Sequence, residues 1–418
     1  MDAIAPNGTG IARFMEMDPN NLTNAADVAV SPDGARALTE APSTSVRRAE
    51  KLNSLELGRG LAALFVLLYH YKGISTKYTG TIPSLAGPFV GGHAGVEYFF
   101  VLSGFIIFFV HNRDIGNIGA LATFFLKRAI RIIPMYWIVI TILLAALLIH
   151  PGWGGGTKLN LENIVKDYLL IPHLSDTILR PSWTLKREAF FYLLFGFIIV
   201  LPAIGASIFL FWQIAIVSLN VFCIGAGYQI TGLSLFFFDV HNLGFFVGIL
   251  CANLAIERKE QSDAVLFAIL AVGFLGVSVN MYTEWSIFDY VSDEGIQTFQ
   301  EETLHSFCYT VAFGLIVFAL VGIERKYRPV SGVLASLFGS CSYLLYILHE
   351  PLGSLWIKML QVSGALPRLS ANATYLIEIA LTLASVMLLH RIVERPVTTW
   401  LRHHFLHERK LRENPGSG

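Results

Sequence analysis

The chain has 418 residues, of which 54% are hydrophobic and 14% charged, with a mean hydropathy of +0.58. Soluble domains carry about 25% charged residues, so this composition excludes an ordinary soluble enzyme and points to a chain that crosses a bilayer several times. The 30 basic side chains balance the 30 acidic ones, which leaves no global field to draw nucleic acid as a partner.

Residues 1–50 are polar and rich in Ala, Asn, Pro, Ser and Asp. They read as a disordered cytoplasmic tail, and no apolar core of a secretory signal precedes Leu55. The first apolar run is Leu55–Gly73, LELGRGLAALFVLLYHYKG. At about 1.5 Å per residue it can span a hydrocarbon core of about 30 Å. Between its charged ends it carries Arg59 and His70. Eleven helical steps of about 100° return to nearly the same face, so the two form a stripe about 16 Å long. An Arg and a His on one face of a membrane helix are costly unless they face a protein interior or an aqueous cavity.

Nine further apolar runs follow, at 93–112, 132–150, 184–203, 205–225, 236–256, 263–281, 303–323, 333–357 and 372–392. Ten helices around a central polar cavity place both termini on one side. Basic clusters agree with that count: Arg47, Arg48 and Lys51; Arg113, Lys127, Arg128 and Arg131; Arg258 and Lys259; Arg325, Lys326 and Arg328; and the residues after 390 all fall on the same face. The positive-inside rule makes that face cytoplasmic, in the cell inner (plasma) membrane. Lys158, Lys166 and Arg180 in the 151–183 loop run against it. The expected organisation is a tail over 1–50, a transmembrane domain over 51–402 and a short cytoplasmic tail over 403–418. The four cysteines lie in apolar runs without CxxC spacing and read as packed thiols; no histidine pair has HExxH spacing, so no metal is expected.

With this orientation Arg59, Arg128 and Arg131 lie in the inner half, and His70, Glu188 and His349 toward the outer half. Ser342, Tyr346 and His349 share a helix face through spacings of four and three. The inner arginines suit a phosphate-bearing ligand, because a guanidinium binds phosphate oxygens as a bidentate fork. The outer imidazoles and carboxylate suit proton transfer near neutral pH. Each has a plainer rival: a helix–helix polar contact for Arg59 and His70, an acid balancing Lys186 or Arg187 for Glu188, topological anchoring for Arg128 and Arg131, and a satisfied core group for His349. His93, His111, His150, His241 and His305 read as interfacial. As a class, the intramembrane charges also fit a secondary transporter, though no matched pair of Gly/Pro-broken segments appears in the two halves.

Several blocks in series resemble the membrane-bound acyltransferase family 3: RGLAALFVLLYH with its Arg-x10-His, GHAGVEYFFVLSGFII, FLKRAIRIIPMYW, PSWTLKREAFFYLLF, SYLLYILHEP and the ERP near the end. The resemblance runs from about Leu52 to Arg402. It implies that Arg59 and His70 are an essential pair and that Arg128 and Arg131 are the RxxR motif. Glu188 and His349 match less uniformly used positions. It further implies an O-acyltransferase that moves an acetyl or other short acyl group from acyl-CoA, as co-substrate, to a hydroxyl of a carbohydrate or glycolipid at the lipid bilayer. On that reading Arg128, Arg131 and Arg59 hold the CoA phosphates. His70 is the general base, Glu188 orients it, and His349 joins the acid–base group; transfer is direct or passes through an acyl-histidine. The polar N-terminal stretch is longer than the resemblance implies, and the fused esterase-like domain of some members has no counterpart here, so the acceptor is met by the membrane domain or by a separate partner.

Overall fold

The computed structural model describes residues 52–150, 160–174, 177–257, 261–290 and 299–407. The expected tail over 1–50 lies outside these residues, as does most of the expected C-terminal tail. Among the described residues the regular structure is entirely helical. The predicted apolar runs map to the long helices α1 Asn53–Thr79, α2 Gly95–His111, α3 Ile118–Ile149, α4 Ser182–Val200, α5 Pro202–Ala226, α6 Leu243–Glu257, α7 Asp263–Tyr290, α8 Phe299–Tyr327, α9 Ser342–Val362 and α10 Ala371–Leu389, but 236–256 and 333–357 are each broken, starting in the short helices Gly232–Phe238 and Gly332–Gly339. The fold is thus that of an all-α multi-pass membrane protein.

Eight segments are long and apolar enough to cross a membrane. The two long helices outside that set are α1 and α4. Both are interrupted by charge, α1 by Glu56, Arg59, Lys72 and Lys77 and α4 by Lys186, Arg187 and Glu188. Several of these charges are engaged within the protein: Arg59 with the Gly339 carbonyl and Ser342, Lys186 with Asp167 and Arg187 with Asp239.

Local chemistry explains the element ends. The free N–H groups at the start of α1 meet a carboxylate from α8: Asn53 N donates to Glu324 Oε1 at 2.8 Å and Ser54 N to Oε2 at 2.6 Å. An anion there also complements the helix dipole. α3 begins at a side-chain cap, with Asn117 accepting from Gly119 N at 3.0 Å. This helix starts well before the apolar run at 132. Lys127, Arg128 and Arg131 therefore lie on α3 and not in a connecting loop. Hydropathy marks only the apolar part of a helix, and the amphipathic turns before it escape that signal. α4 and α5 meet at Leu201, with Pro202 opening α5.

Close packing rests on small residues, as it does generally between membrane helices. α2 and α6 approach so closely that a Cβ on Gly248 would sit 2.0 Å from Val101 O, and one on Gly104 2.1 Å from Phe245 O. In the 151–183 stretch, whose basic residues run against the predicted topology, the described residues include the short helix Leu161–Tyr168, which is held through its Asp167. Buried Asp167 takes Lys186 Nζ, His173 Nε2 and Ile178 N, each at 2.8 Å, while Lys166 pairs with Glu162.

Labelling of single-cysteine variants in intact cells tests the ten-helix topology. Arg113→Cys and Arg328→Cys are expected to label from the cytoplasmic face, and Thr81→Cys and Arg368→Cys from the outer face. Opposite-side labelling of the first pair would remove α4 as a crossing. An N-terminal epitope on the same side as Thr81→Cys would remove α1.

Candidate active site

A cavity of about 730 Å³, partly open to solvent, lies between α1, α2, α3, α4 and α9. Arg59, Arg128, Arg131 and Glu188 all line it, together with Ser103, Ser342 and Tyr346 and an apolar wall that includes Phe99 and Ile132. Four of the residues singled out in the sequence are thus brought to one space, although they come from three helices. Three guanidinium groups face one carboxylate there.

Arg59 is held by a break in the chain. The short helix Gly332–Gly339 ends just before α9 begins at Ser342. Arg59 Nη2 donates to the Gly339 carbonyl at 2.7 Å and Nε to Ser342 Oγ at 2.8 Å. The broken segment lies directly on α1. A Cβ on Gly60 would come 2.4 Å from Phe338 O, and one on Gly339 2.4 Å from Glu56 O. Arg128 Nη2 donates to His111 Nε2 at 3.4 Å, and His111 Nδ1 in turn donates to Asp114 at 2.6 Å. Arg128 Nε is buried without a hydrogen-bond partner. Among the described residues no carboxylate lies within 4.0 Å of Arg128 or Arg131.

Glu188 does not balance its cationic neighbours. Consecutive helical residues diverge by about 100°, and Lys186 pairs with Asp167 at 2.8 Å while Arg187 pairs with Asp239 at 2.9 Å and lies over the Trp183 ring. Glu188 turns into the cavity, where Ser103 Oγ donates to it at 3.0 Å and Tyr192 Oη also donates.

His70 and His349 form a second group beyond Tyr346. Their rings lie 5.0 Å apart, and the Tyr346 ring is 5.8 Å from that of His349. His349 is only 1% exposed. Its Nδ1 donates to Tyr346 O at 2.5 Å, which leaves Nε2 with a lone pair, buried and without a partner. His70 is 36% exposed, and its Nδ1 lies 3.5 Å from Glu350 Oε1. Glu350 is the carboxylate beside His70, and Glu188 is not. His70, His349 and Glu350 bring one donor atom each within 4.8 Å of one another, a set of N and O atoms that can share a proton or hold a divalent cation.

The sequence did not single out Glu350, although it directly follows His349. Nor did it find the partners of the histidines that read as interfacial. His93 Nε2 lies 3.1 Å from Glu284, which is 1% exposed and also accepts from Tyr309 Oη at 2.9 Å. Tyr69 stands between the two rings, 5.1 Å from His70 and 5.2 Å from His93. His305 bonds Asn280 at 2.6 Å, and His241 bonds Asp239 at 2.5 Å. These histidines are packed against polar partners. His93 meets a partner from a distant part of the chain, 191 positions away, while Asp239 lies two positions from His241.

Helices that bury arginines beside a cavity and hold an imidazole–carboxylate group beyond Tyr346 define an integral membrane protein with polar chemistry in its core. The chain belongs to the acyltransferase 3 family: the family model described as "Acyltransferase domain" matches residues 52–391. It is a membrane acyltransferase, and the transporter alternative falls. Among its relatives is the exopolysaccharide production protein ExoZ of Rhizobium meliloti, 24% identical over 319 residues, which covers 74% of this chain and 90% of that protein. Proteins of Staphylococcus aureus strains COL and N315 that bear the name "Putative O-acetyltransferase" are 23% identical over 393 residues. That match covers 84% of this chain and 58% of those proteins. No solved structure matches the chain significantly.

The contact that seats Arg59 is open to a steric test. Gly60→Val is expected to lower stability by about 1–3 kcal/mol, as overpacking does, because the displaced atom is a backbone carbonyl. The thermal midpoint of the detergent-solubilised protein, followed by size-exclusion fluorescence, reads this out; Gly73→Val, where a Cβ meets nothing within 4 Å, serves as the control that stays near the parent value.

Proposed function

We propose that this acyltransferase moves an acetyl or other short acyl group from acyl-CoA to a hydroxyl of a carbohydrate or glycolipid, in the inner (plasma) membrane with both termini in the cytoplasm. The observation that supports this reading best is the division of the core. Arg59, Arg128 and Arg131 line one cavity, and His70 with Glu350 lies just past Tyr346. Arginines without carboxylate partners suit the phosphates of CoA. The apolar wall suits the pantetheine arm, with Ser103 and Glu188 as partners for its amide N–H groups. The name of the Rhizobium relative, an exopolysaccharide production protein, favours a sugar polymer or its lipid-linked precursor as acceptor.

In this mechanism the acceptor oxygen attacks the thioester carbonyl as its proton passes to His70. The C–O bond forms, the C–S bond breaks, and the imidazolium returns the proton to the departing CoA sulfur. Glu350 orients the imidazole, in the manner of His–carboxylate pairs elsewhere. His349 contributes an unprotonated Nε2 in a dry setting beside it. Direct transfer and transfer through an acyl-imidazole both start from this arrangement. Exchange of label between acetyl-CoA and free CoA without acceptor is expected only of the second.

Free-thiol release from acetyl-CoA by the purified protein, with polysaccharide from its own host as acceptor, tests the proposal. His70→Gln is expected to lower kcat by about 10²–10⁴-fold with donor affinity nearly unchanged. Glu350→Gln is expected to cause a smaller loss of kcat. Arg128→Ala or Arg131→Ala is expected to weaken acyl-CoA binding roughly ten- to a hundredfold, the value of a charge-assisted hydrogen bond. Near-normal turnover of His70→Gln would reject His70 as the base. Unchanged donor affinity in both arginine variants would return them to topological anchoring.

A further inference from the structure

A second cavity, polar and open to solvent, lies where α2 ends and α3 begins. It encloses about 740 Å³ and is lined by His111, Asp114, Asn117, Thr123 and Lys127, among others. It adjoins the arginine cavity through one contact. Arg128 lines the first space and His111 the second, and the 3.4 Å bond between them is the wall. Lys127 and Arg128 are neighbours on α3, and the helical step of about 100° sends one into each space.

The cleft holds the Lys127 ammonium and the Asp114 carboxylate, and the Arg128 guanidinium at its wall leaves the surroundings with one cation in excess. Asp114 accepts from Nδ1 of the neutral His111 at 2.6 Å, while among the described residues no carboxylate lies within 4.0 Å of Lys127. Asn117 uses its side-chain oxygen to cap α3, which leaves its amide N–H groups as donors. Thr123 adds a hydroxyl, and Arg128 Nε stands buried and unpartnered at the wall. One free ammonium, an amide donor and a hydroxyl in a wet cleft match a ribose phosphate monoester.

We propose that this cleft binds the 3′-phosphoadenosine end of CoA, with Lys127 on the 3′-phosphate. The inference rests on the acyl-CoA donor reading. CoA carries its pyrophosphate between the pantetheine arm and the adenosine, and its 3′-phosphate on the far side of the ribose. With the arm and pyrophosphate in the arginine cavity, the adenosine leaves past Arg128 into the neighbouring space. There the 3′-phosphate stays hydrated at the water-facing end of α3 while it gains one cation.

Isothermal titration of the full-length protein in nanodiscs with CoA and with 3′-dephospho-CoA tests this. Wild type is expected to bind CoA roughly tenfold or more tighter than 3′-dephospho-CoA, as one charge-assisted contact provides. Lys127→Ala and Lys127→Gln are expected to abolish that difference while 3′-dephospho-CoA binds as before, which also shows that the variants are folded. Arg128→Ala is expected to weaken both ligands alike. Equal affinity of the two ligands for wild type, or equal weakening of both by the Lys127 variants, overturns the subsite and leaves the donor reading intact. Failure of either ligand to bind wild type removes the donor reading and the subsite together.

Discussion

The position of Arg59 governs the rest of the core. A guanidinium inside a membrane protein must have its N–H groups satisfied, because the hydrocarbon offers no water to replace a missing partner. Here the partners come from the interruption between the Gly332–Gly339 helix and α9, where the Gly339 carbonyl and Ser342 hydroxyl face α1. Gly60 and Gly339 allow the backbones to touch at that point. Once Arg59 docks there, α1 and α9 run alongside each other. Three turns further on, His70 reaches His349 and Glu350, and Tyr71 Oη donates to the His349 carbonyl at 2.8 Å. One polar contact at the lower end thus sets the register at the upper end.

A second constraint is the cost of charge without a partner. Several buried cations of the core carry an acid in direct contact: Lys186 with Asp167 and Arg187 with Asp239. Buried pairs of this kind add little net stability, but removal of one member leaves a stranded charge. Arg128 and Arg131 break the pattern, since they line a cavity and meet no carboxylate among the described residues. Cations left open toward a cavity are prepared for an anionic ligand, and this contrast separates binding groups from packing groups more sharply than burial does.

The family blocks and the geometry illuminate each other. Arg59 and His70 stand on one helix face, yet only Arg59 lines the arginine cavity, where the Tyr346 and Phe99 rings lie 5.4 Å apart. The same segment, SYLLYILHE, supplies Ser342 for Arg59, Tyr346 for the cavity lining and His349 with Glu350 for the imidazole pair.

The sequence by itself determined the helical class and the series of long apolar segments. Those follow from hydropathy and from the 3.6-residue period, which are local properties of a chain. It also marked Arg59, His70, Arg128, Arg131, Glu188 and His349, since an ionisable group in an apolar run is conspicuous whatever surrounds it. Only the tertiary structure decided which carboxylate meets which imidazole. Glu350 and not Glu188 stands at His70, Glu284 meets His93, and Glu324 caps α1. His93 and Glu284 are 191 positions apart in sequence, and no periodicity within either segment encodes such a pairing. It arises from how helices pack, through close approaches at Gly60, Gly248 and Gly339 whose steric basis appears only when the facing backbone is in place.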